Sequence, residues 1–307
     1  MIHGTHNAVD DTRNNDILVY INGDFYKREE AKISVFDSGY LVGDGIWEAL
    51  RLHQGVLVFL EDHLERLWTA AATVGMQFPF SKNELKLTVE KVLKKNDMHD
   101  DVHVRIMITR GIKKTPSQDP RLTISGPNIV IVPEYKKASS ETKEKGITLF
   151  TSTIRRGSPD YLDPKLNCHS KLHEVQALIQ AIEAGADEAL MLDVNGFIST
   201  CNATNFFMIK NGEVWTSTGE YCMNGITRAK VIEVCKIHDI PCHQKNVSLF
   251  DVYGADEAFV TGTFGGLTPV VKIDGRQIGN GTFGSLTRTL SAHYHQLIKT
   301  YISNVKG

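Results

Sequence analysis

The amino-acid sequence predicts an α/β protein of two domains, and three observations lead to that prediction. Strand-like and helix-like patterns alternate along all 307 residues. A charged segment rich in Ser and Lys follows Pro133 and has no apolar periodicity, which is typical of a linker. The chain is too long for one small domain. We expect a flexible extension at 1–15, domains at 16–134 and 147–307, and a linker at 135–146.

The individual elements follow from residue spacing. Apolar residues at helical spacing predict helices over 60–74, 84–93 and 171–184. Alternation of polar and apolar residues over 102–109 predicts a half-buried strand. Apolar runs predict further strands at 17–21, 128–132 and 147–153. Asn-Gly and Asp-Gly pairs predict hairpin turns at 22–23, 195–196, 211–212, 274–275 and 280–281.

Composition and charge exclude several classes of protein. The formal net charge is −2 and the pI is near 6.6, so the chain has no general attraction for nucleic acid or an anionic membrane. The first residues lack the basic and apolar regions of a secretory signal, and no run of apolar residues is long enough to span a membrane. Five cysteines without CxxC spacing indicate reduced thiols. We expect a cytoplasmic protein.

Six short motifs follow one another in a fixed order. They are FDSGYLVGDGIWE at 36–48, HLERL at 63–67, GADEAL at 185–190, NFF at 205–207, GITR at 225–228 and DEAFVTGT at 256–263. Together they resemble the class IV aminotransferases, the fold-type-IV enzymes that use pyridoxal 5′-phosphate (PLP). The resemblance implies a two-domain fold of the D-amino-acid and branched-chain aminotransferase type and a homodimer. It also implies amino acid and 2-oxo acid substrates.

A phosphate group is held by a charged clamp together with neutral N–H and O–H donors. By resemblance, Arg66 is the clamp, and Ile226, Thr227, Gly262 and Thr263 form a cup around the phosphate. The residues agree with this assignment, because the Gly-Ile-Thr step precedes a predicted helix whose first N–H groups face an anion. The alternative is that Arg66 is a solvent-exposed helix residue and that the Gly-Ile-Thr step is an ordinary helix start.

One position departs from the family where its chemistry is centred. In class IV aminotransferases one lysine holds PLP as a Schiff base and then transfers a proton. The segment LDPKLNCHSKL at 162–172 resembles the family's LDPxxKSLNxL without a gap, and Asn167 occupies the lysine position. An amide has no basic nitrogen and forms no imine. Lys165, two residues earlier, and Lys171, four residues later, are the possible substitutes.

A second departure concerns the pyridine ring of the cofactor. The family places a glutamate beside the ring nitrogen, and its negative charge keeps that nitrogen protonated. Counting back from Asn205 assigns this position to Thr200, a neutral hydroxyl. By resemblance, Tyr40 contacts substrate or a proton in transit, with packing beside the glycine turn as the alternative. Trp47 is expected in the core.

Other side chains leave alternatives open. A substrate carboxylate has four candidate partners, Arg51, Lys113, Lys114 and Arg121, each of which is otherwise a surface charge. His169 and His173 have the spacing of metal ligands on one helical face, but such pairs without a metal are common, and we expect no metal. Three functions remain: an aminotransferase with a displaced lysine or a non-covalent cofactor, a lysine-free enzyme of lyase or hydrolase type, and a non-catalytic relative that keeps the phosphate cup.

Overall fold

The computed structural model describes residues 4–6 and 8–307, which form two compact units. The N-terminal unit consists of Asp10–Lys137 together with Leu166–Lys171. The C-terminal unit contains residues 138–165 and 172–307 together with the described residues before Asp10. Each unit is built on one β-sheet with helices. The predicted α/β fold is therefore confirmed, and the structure shows that each unit has a sheet of its own.

The N-terminal unit is a six-stranded antiparallel sheet in the order β2-β1-β6-β5-β3-β4. Its strands are β1 (Leu18–Ile21), β2 (Asp24–Lys27), β3 (Gly45–His53), β4 (Val56–Leu57), β5 (Val102–Thr109) and β6 (Asn128–Tyr135). Its helices are α1 (Ser38–Val42), α2 (Leu60–Thr73) and α3 (Lys82–Lys95), with 3-10 turns at Thr12–Asn15 and Pro120–Leu122.

Helices α2 and α3 cover one face of this sheet. Leu64 and Leu67 of α2 and Val89 of α3 are almost fully buried against Ile46 of β3 and Ile106 of β5. Burying each such side chain contributes about 1.5–3 kcal/mol. Since side chains alternate across a strand, the neighbours of Ile46 and Ile106 in sequence project from the opposite face of the sheet.

The C-terminal unit contains a nine-stranded mixed sheet in the order β12-β11-β10-β13-β14-β7-β8-β9, with β15 beside β14. The strands are β7 (Ile147–Thr151), β8 (Glu188–Leu192), β9 (Ile198–Cys201), β10 (Asn205–Lys210), β11 (Glu213–Thr216), β12 (Cys242–Gln244), β13 (Glu257–Gly262), β14 (Gly266–Ile273) and β15 (Arg276–Gln277). The helices are α4 (Ser140–Lys145), α5 (Leu172–Glu183), α6 (Ile226–Ile237), α7 (Leu249–Tyr253) and α8 (Ser285–Lys306). Within the described residues no helix is long and apolar enough to cross a membrane.

Most element predictions are confirmed, and the turn chemistry explains why. The Asn-Gly and Asp-Gly pairs at 22–23, 211–212 and 274–275 connect antiparallel strands, and their backbones have positive φ, which these residues tolerate. The pair at 195–196 joins β8 to β9. The prediction at 280–281 was wrong, because that turn leads into α8 and joins no two strands of the described sheet.

The expected N-terminal extension and the expected linker both contain regular structure, although their polar sequences predicted flexible segments. Residues 12–15 form a 3-10 turn, and the Thr5 N–H donates to the buried Glu188 carboxylate. The expected linker, 135–146, includes helix α4, whose Lys143 ammonium donates to the carbonyl oxygens of Gly265 and Leu267. The division between the units falls inside this segment, between Lys137 and Ala138.

Candidate active site

The segment around Asn167 lies in the N-terminal unit because it pairs with the beginning of β3. The Trp47 N–H donates to the Asn167 carbonyl at 3.0 Å, and the His169 N–H donates to the Gly45 carbonyl at 2.9 Å. Cys168, opposite Ile46, joins the apolar core. Alternation therefore places the side chains of Asn167 and His169 on the face of the sheet away from α2 and α3.

The Asn167 side chain has a defined orientation. Only 2% of the residue is exposed, and its Nδ2 donates to the Trp47 carbonyl at 2.7 Å. Because that carbonyl is an acceptor, the amide nitrogen and not the amide oxygen has to face it. Oδ1 then points away and has no hydrogen-bond partner among the described residues. A buried polar atom without a partner is uncommon in folded proteins and costs free energy.

The glycines of the GDG motif allow this segment to lie against the start of β3. A Cβ added to Gly45 would lie 2.8 Å from His169 Nδ1, and one added to Gly43 would lie 2.6 Å from Ser170 Oγ. Gly43 also has φ of 71°, in the left-handed region that favours glycine. The two glycines of this motif, one of the six that carried the family resemblance, thus leave the space that His169 and Ser170 occupy.

The surroundings of His169 lower its pKa, which favours the neutral imidazole. Burial is the largest cause that lowers its pKa; the Asp37 and Asp44 carboxylates oppose this, and the charges of Arg105 and Lys171 add to it. Its Nε2 is buried without a hydrogen-bond partner in the part of the chain that the structure describes. His169 and His173 would share a helical face only if the helix began early, and they do not, since α5 begins at Leu172 and His169 lies before it.

The structure places the other predicted residues of this region in different environments. Lys165 is exposed, Lys171 is half-buried, and Tyr40 is 71% exposed on α1. The roles predicted for these three side chains stay predictions.

Arg66 is anchored by a buried carboxylate. Its Nε and Nη2 donate to Glu48 at 2.6 and 2.8 Å, and His63 Nδ1 lies 2.7 Å from the same carboxylate. Burial alone would raise the pKa of Glu48, but the Arg66 charge and the hydrogen bonds from His63 and Arg66 outweigh it, so that the pKa lies below its usual range. The guanidinium of Arg66 is therefore fixed in orientation, and its role as a phosphate clamp stays a prediction.

Sequence reasoning missed the arrangement of Arg105 and Trp47. Arg105 projects from the middle of β5 and is exposed, and its guanidinium carbon lies 4.2 Å from the centre of the Trp47 ring. Trp47 is half-buried on the face away from the helices, so the prediction that it is a core residue was wrong. Its Nε1 donates to the Cys168 carbonyl at 3.1 Å. The available signal was the position of Arg105 on the polar side of the alternating strand, two residues from Met107 on the same face.

The predicted carboxylate partners are less suitable than Arg105. Arg51 is 7% exposed and donates to the Lys136 carbonyl and to Asp101. Lys113 is 1% exposed and donates to the Asp119 carbonyl. Arg121 forms an exposed ion pair with the Asp119 carboxylate, and Lys114 is exposed on the same loop.

In the C-terminal unit, Asn205 connects three of the predicted motifs. Its Nδ2 donates to the Met223 carbonyl at 2.9 Å, just before the GITR motif, and lies 3.4 Å from Thr200 Oγ1. A Cβ on Gly225 would approach Asn205 Oδ1 to 2.3 Å, so only glycine fits there. Asn205 also pairs with Thr261 across β10 and β13. The GITR and TGT motifs therefore surround one buried amide.

The predicted cup residues lie at the ends of α6 and β13, which pack against each other. Helix α6 begins after Gly225, and no side chain among the described residues caps its first N–H groups. Thr227 is 4% exposed, Gly262 ends the neighbouring strand, and Thr263 follows in the turn after it. Uncapped N–H groups and hydroxyls at a helix start are the donors that an anion requires.

Comparison with known proteins decides the family. The family model "Amino-transferase class IV" matches residues 45–273. The chain belongs to the class IV amino-transferase family. It is 39% identical over 284 residues to Branched-chain-amino-acid aminotransferase-like protein 1 of Arabidopsis thaliana, covering 92% of this chain and 51% of that protein. The chain thus spans about half the length of this relative.

Two further class IV relatives match over nearly their whole length. A putative branched-chain-amino-acid aminotransferase of Methanocaldococcus jannaschii is 36% identical over 282 residues, which are 91% of this chain and 96% of that protein. The crystal structure of the T.th. branched-chain amino acid aminotransferase with pyridoxamine 5′-phosphate superposes with a TM-score of 0.86. It is 27% identical and covers 93% of this chain and 95% of that one.

The residues of the chain fit the phosphate of a PLP-type cofactor, but they do not fit the charged partner of its ring nitrogen or its covalent link. The start of α6 and the end of β13 supply donors for its phosphate. Thr200, 6% exposed, donates its hydroxyl to the Thr204 carbonyl at 2.7 Å and carries no charge for a ring nitrogen. Asn167 offers no amine for a covalent link. The residues therefore fit a phosphate-anchored cofactor that is bound without a Schiff base at this position.

Proposed function

We propose that the chain is a class IV aminotransferase-like enzyme that binds PLP non-covalently and transfers an amino group between an amino acid or amine and a 2-oxo acid. One observation carries the proposal: the helix start and strand end that supply phosphate donors are both fixed by Asn205, although the lysine position holds Asn167.

The residues of the chain would share the work as follows. Arg66, oriented by Glu48, supplies positive charge for the phosphate. Thr200, which carries no charge, would face the ring nitrogen, and Asn205, whose Nδ2 donates to the Met223 carbonyl, would hold the segment before α6. The bound cofactor supplies an electron-accepting ring and the carbon that carries the amino group.

Arg105 is the side chain that we assign to a substrate carboxylate. Arg105 is an exposed residue, and Trp47 and Met107 project from the same face of the sheet as half-buried apolar neighbours. A cation bordered by apolar side chains fits an amino acid with an apolar side chain. The names of the relatives, which specify branched-chain amino acids, agree with this class.

A visible absorption spectrum with added PLP, recorded before and after borohydride, tests the proposal directly. We expect saturable binding of the cofactor, no reduction-stable link to any lysine, and slow amino transfer from aliphatic amino acids to a 2-oxo acid. Peptide mass mapping after reduction distinguishes the alternatives. A label on Lys165 or Lys171 would show covalent capture and contradict the non-covalent part, while failure to bind PLP at all would overturn the whole proposal.

A lysine-free reaction of lyase or hydrolase type is the second candidate. Two neutral residues favour this candidate: Asn167, at the position assigned to the Schiff-base lysine, and Thr200, at the position assigned to the glutamate beside the ring nitrogen. Without the charge of that glutamate, the ring is a weaker electron acceptor. Under this candidate the protein binds PLP or another phosphate compound but forms no amino acid from a 2-oxo acid. Incubation with the amine form of the cofactor and a mixture of 2-oxo acids, followed by amino acid analysis, separates the two candidates.

We also propose that two copies of the chain associate. Helix α5 exposes an apolar stripe along one side, in which Leu172 is 71%, Val175 50%, Ile179 48% and Ile182 61% exposed. Ile179→Asp is expected to yield monomers in light scattering, whereas Ile237→Asp, at an exposed isoleucine of α6, should leave the mass unchanged. A monomeric unsubstituted chain would contradict the proposal.

A cytoplasmic location is supported by the cysteines. All five are free thiols, and four of them are buried. Oxidising compartments favour disulfide pairing, so this state is typical of a reducing compartment. Fluorescence microscopy of the tagged full chain checks the location, and secretion into the medium would contradict it.

A further inference from the structure

Two cysteines lie side by side in the C-terminal unit, where the end of α6 meets β12. Cys235 is buried near the end of the helix, and Cys242 is the first residue of the strand. Their side chains are in hydrogen-bond contact, with the Cys235 thiol donating to the Cys242 sulfur. Both are free thiols, and neither takes part in the proposed function.

The turn between α6 and β12 explains why the two residues meet. The Ile240 N–H donates to the Cys235 carbonyl at 2.9 Å. The Asp239 N–H donates to the Lys236 carbonyl at 3.5 Å, and Asp239 has φ of 52°. This is the pattern of a Schellman motif, which ends a helix and brings the residues after the turn back against its last turn. Cys242 follows directly in that returning segment.

A side-chain contact fixes the direction in which β12 faces. Gln244 Oε1 accepts a hydrogen bond from Arg228 Nη2 of α6 at 2.8 Å, so the Gln244 side chain faces the helix. Alternate side chains of a strand share a face, and Cys242 therefore faces the helix as well. Arg228 and Cys235 are about two helical turns apart and lie on one side of α6. The strand and the helix thus direct the two thiols towards each other.

The two thiols differ in reactivity. The hydrogen bond from Cys235 lowers the pKa of Cys242; burial opposes this, and the charge of Arg228 adds to the lowering. The same hydrogen bond, together with burial, raises the pKa of Cys235. Cys242 is half-buried, and both of its neighbours in β12 and the preceding turn, Pro241 and His243, are exposed. Because the thiolate is the reactive form, a reagent in solution attacks Cys242 before the buried Cys235.

We propose that Cys242 and Cys235 form a site of reversible oxidation, at which hydrogen peroxide oxidises Cys242 and Cys235 then closes a disulfide. The Cys242 thiolate attacks one peroxide oxygen and the O–O bond breaks, which gives a sulfenic acid and a hydroxide that takes up the proton Cys242 released. The Cys235 sulfur then attacks the Cys242 sulfur: the S–S bond forms, the S–O bond breaks, and the second water leaves with the Cys235 proton. Two thiols lose two electrons, and one peroxide is reduced to two waters.

Peptide mass mapping of the full chain tests the proposal without measuring activity. The reduced protein is treated with hydrogen peroxide, its remaining thiols are alkylated in denaturant, and it is digested with trypsin. Trypsin cleaves after Lys236, between the two cysteines, so the disulfide joins the fragments 231–236 and 237–245 until a reductant separates them. We expect this linked species, with the other cysteines alkylated. Absence of the linked species, or a disulfide from either residue to a different cysteine of the same or another chain, would overturn the proposal.

Two variants test the order of the steps. In Cys235→Ser, a cyclic diketone that reacts with sulfenic acids should label Cys242, because no partner thiol remains to displace the oxygen. In Cys242→Ser, the same treatment should leave Cys235 as a free thiol. Cys201→Ala is the matched control, since burial raises the pKa of the Cys201 thiol and the linked fragments should form in this variant unchanged. An unlabelled Cys242 in the first variant, or an oxidised Cys235 in the second, would contradict the assigned roles.

Discussion

Replacing Glu48 by glutamine removes the negative charge that binds Arg66 and His63 but keeps the shape of the side chain. The carboxylate is 1% exposed and accepts three hydrogen bonds, two from Arg66 and one from His63. Breaking a buried ion pair by removing one partner costs about 3–5 kcal/mol. The Arg66 side chain is 17% exposed and stays partly hydrated, so we expect the lower end, about 3 kcal/mol.

Thermal unfolding followed by circular dichroism measures this loss. With about 2–4 °C per kcal/mol for domains of this size, Glu48→Gln should lower the Tm by roughly 6–12 °C. Glu65→Gln is the matched control, because Glu65 makes an ion pair with Lys82 at the surface and is 71% exposed. The control should change stability by less than about 0.5 kcal/mol. Equal losses in the two variants would refute the reasoning.

Comparison of the unsubstituted protein with Glu48→Gln also gives a prediction for how stability depends on pH. The pKa of Glu48 is lower in the folded protein than in the unfolded chain, so its contribution is fully present above the unfolded value of about 4.3. The contribution is lost as the pH falls through the folded value. The stability difference between the unsubstituted protein and Glu48→Gln should therefore be constant from neutral pH down to about 5 and shrink below about 4. A difference that grows on acidification would contradict this assignment.

Three further predictions concern single side chains. Arg156→Met should lower the free energy of unfolding, measured by urea denaturation, by about 3–5 kcal/mol, because Arg156 is buried and pairs with Glu174 at 2.6 Å; a change below about 1 kcal/mol would contradict the buried pair. Gly225→Ala should weaken phosphate-compound binding at least tenfold in calorimetry, since its Cβ would lie 2.3 Å from Asn205 Oδ1; unchanged affinity would mean that the helix start takes no part in binding. His169→Gln should reduce the loss of stability between about pH 7 and pH 5, because the lowered pKa of His169 means that its protonation favours the unfolded chain below its unfolded pKa of about 6.5. If the free energy of unfolding falls equally between about pH 7 and pH 5 in the unsubstituted protein and in His169→Gln, the lowered pKa of His169 is refuted. The matched controls are the exposed Arg155→Met and the uncrowded Gly126→Ala.

The sequence by itself determined the family and the helices and strands with clear periodicity. These properties are local: helical spacing in 60–74, alternation in 102–109 and Asn-Gly turns act within a few residues, and the six motifs hold their order along the chain. The identity of residue 167 is also read directly from the sequence, and an asparagine amide has no basic nitrogen in any fold.

Only the tertiary structure decided how the site residues are paired. The contact of Glu48 with Arg66 joins a strand to a helix, and that of Arg105 with Trp47 joins two strands, so spacing along the chain does not reveal either pair. Asn167 belongs to the N-terminal unit, although it follows the first strand of the C-terminal sheet, because backbone hydrogen bonds attach it to β3. The direction of the Asn167 amide depends on its hydrogen bond to the Trp47 carbonyl, 120 residues away in the sequence. Only the folded chain brings these two residues together.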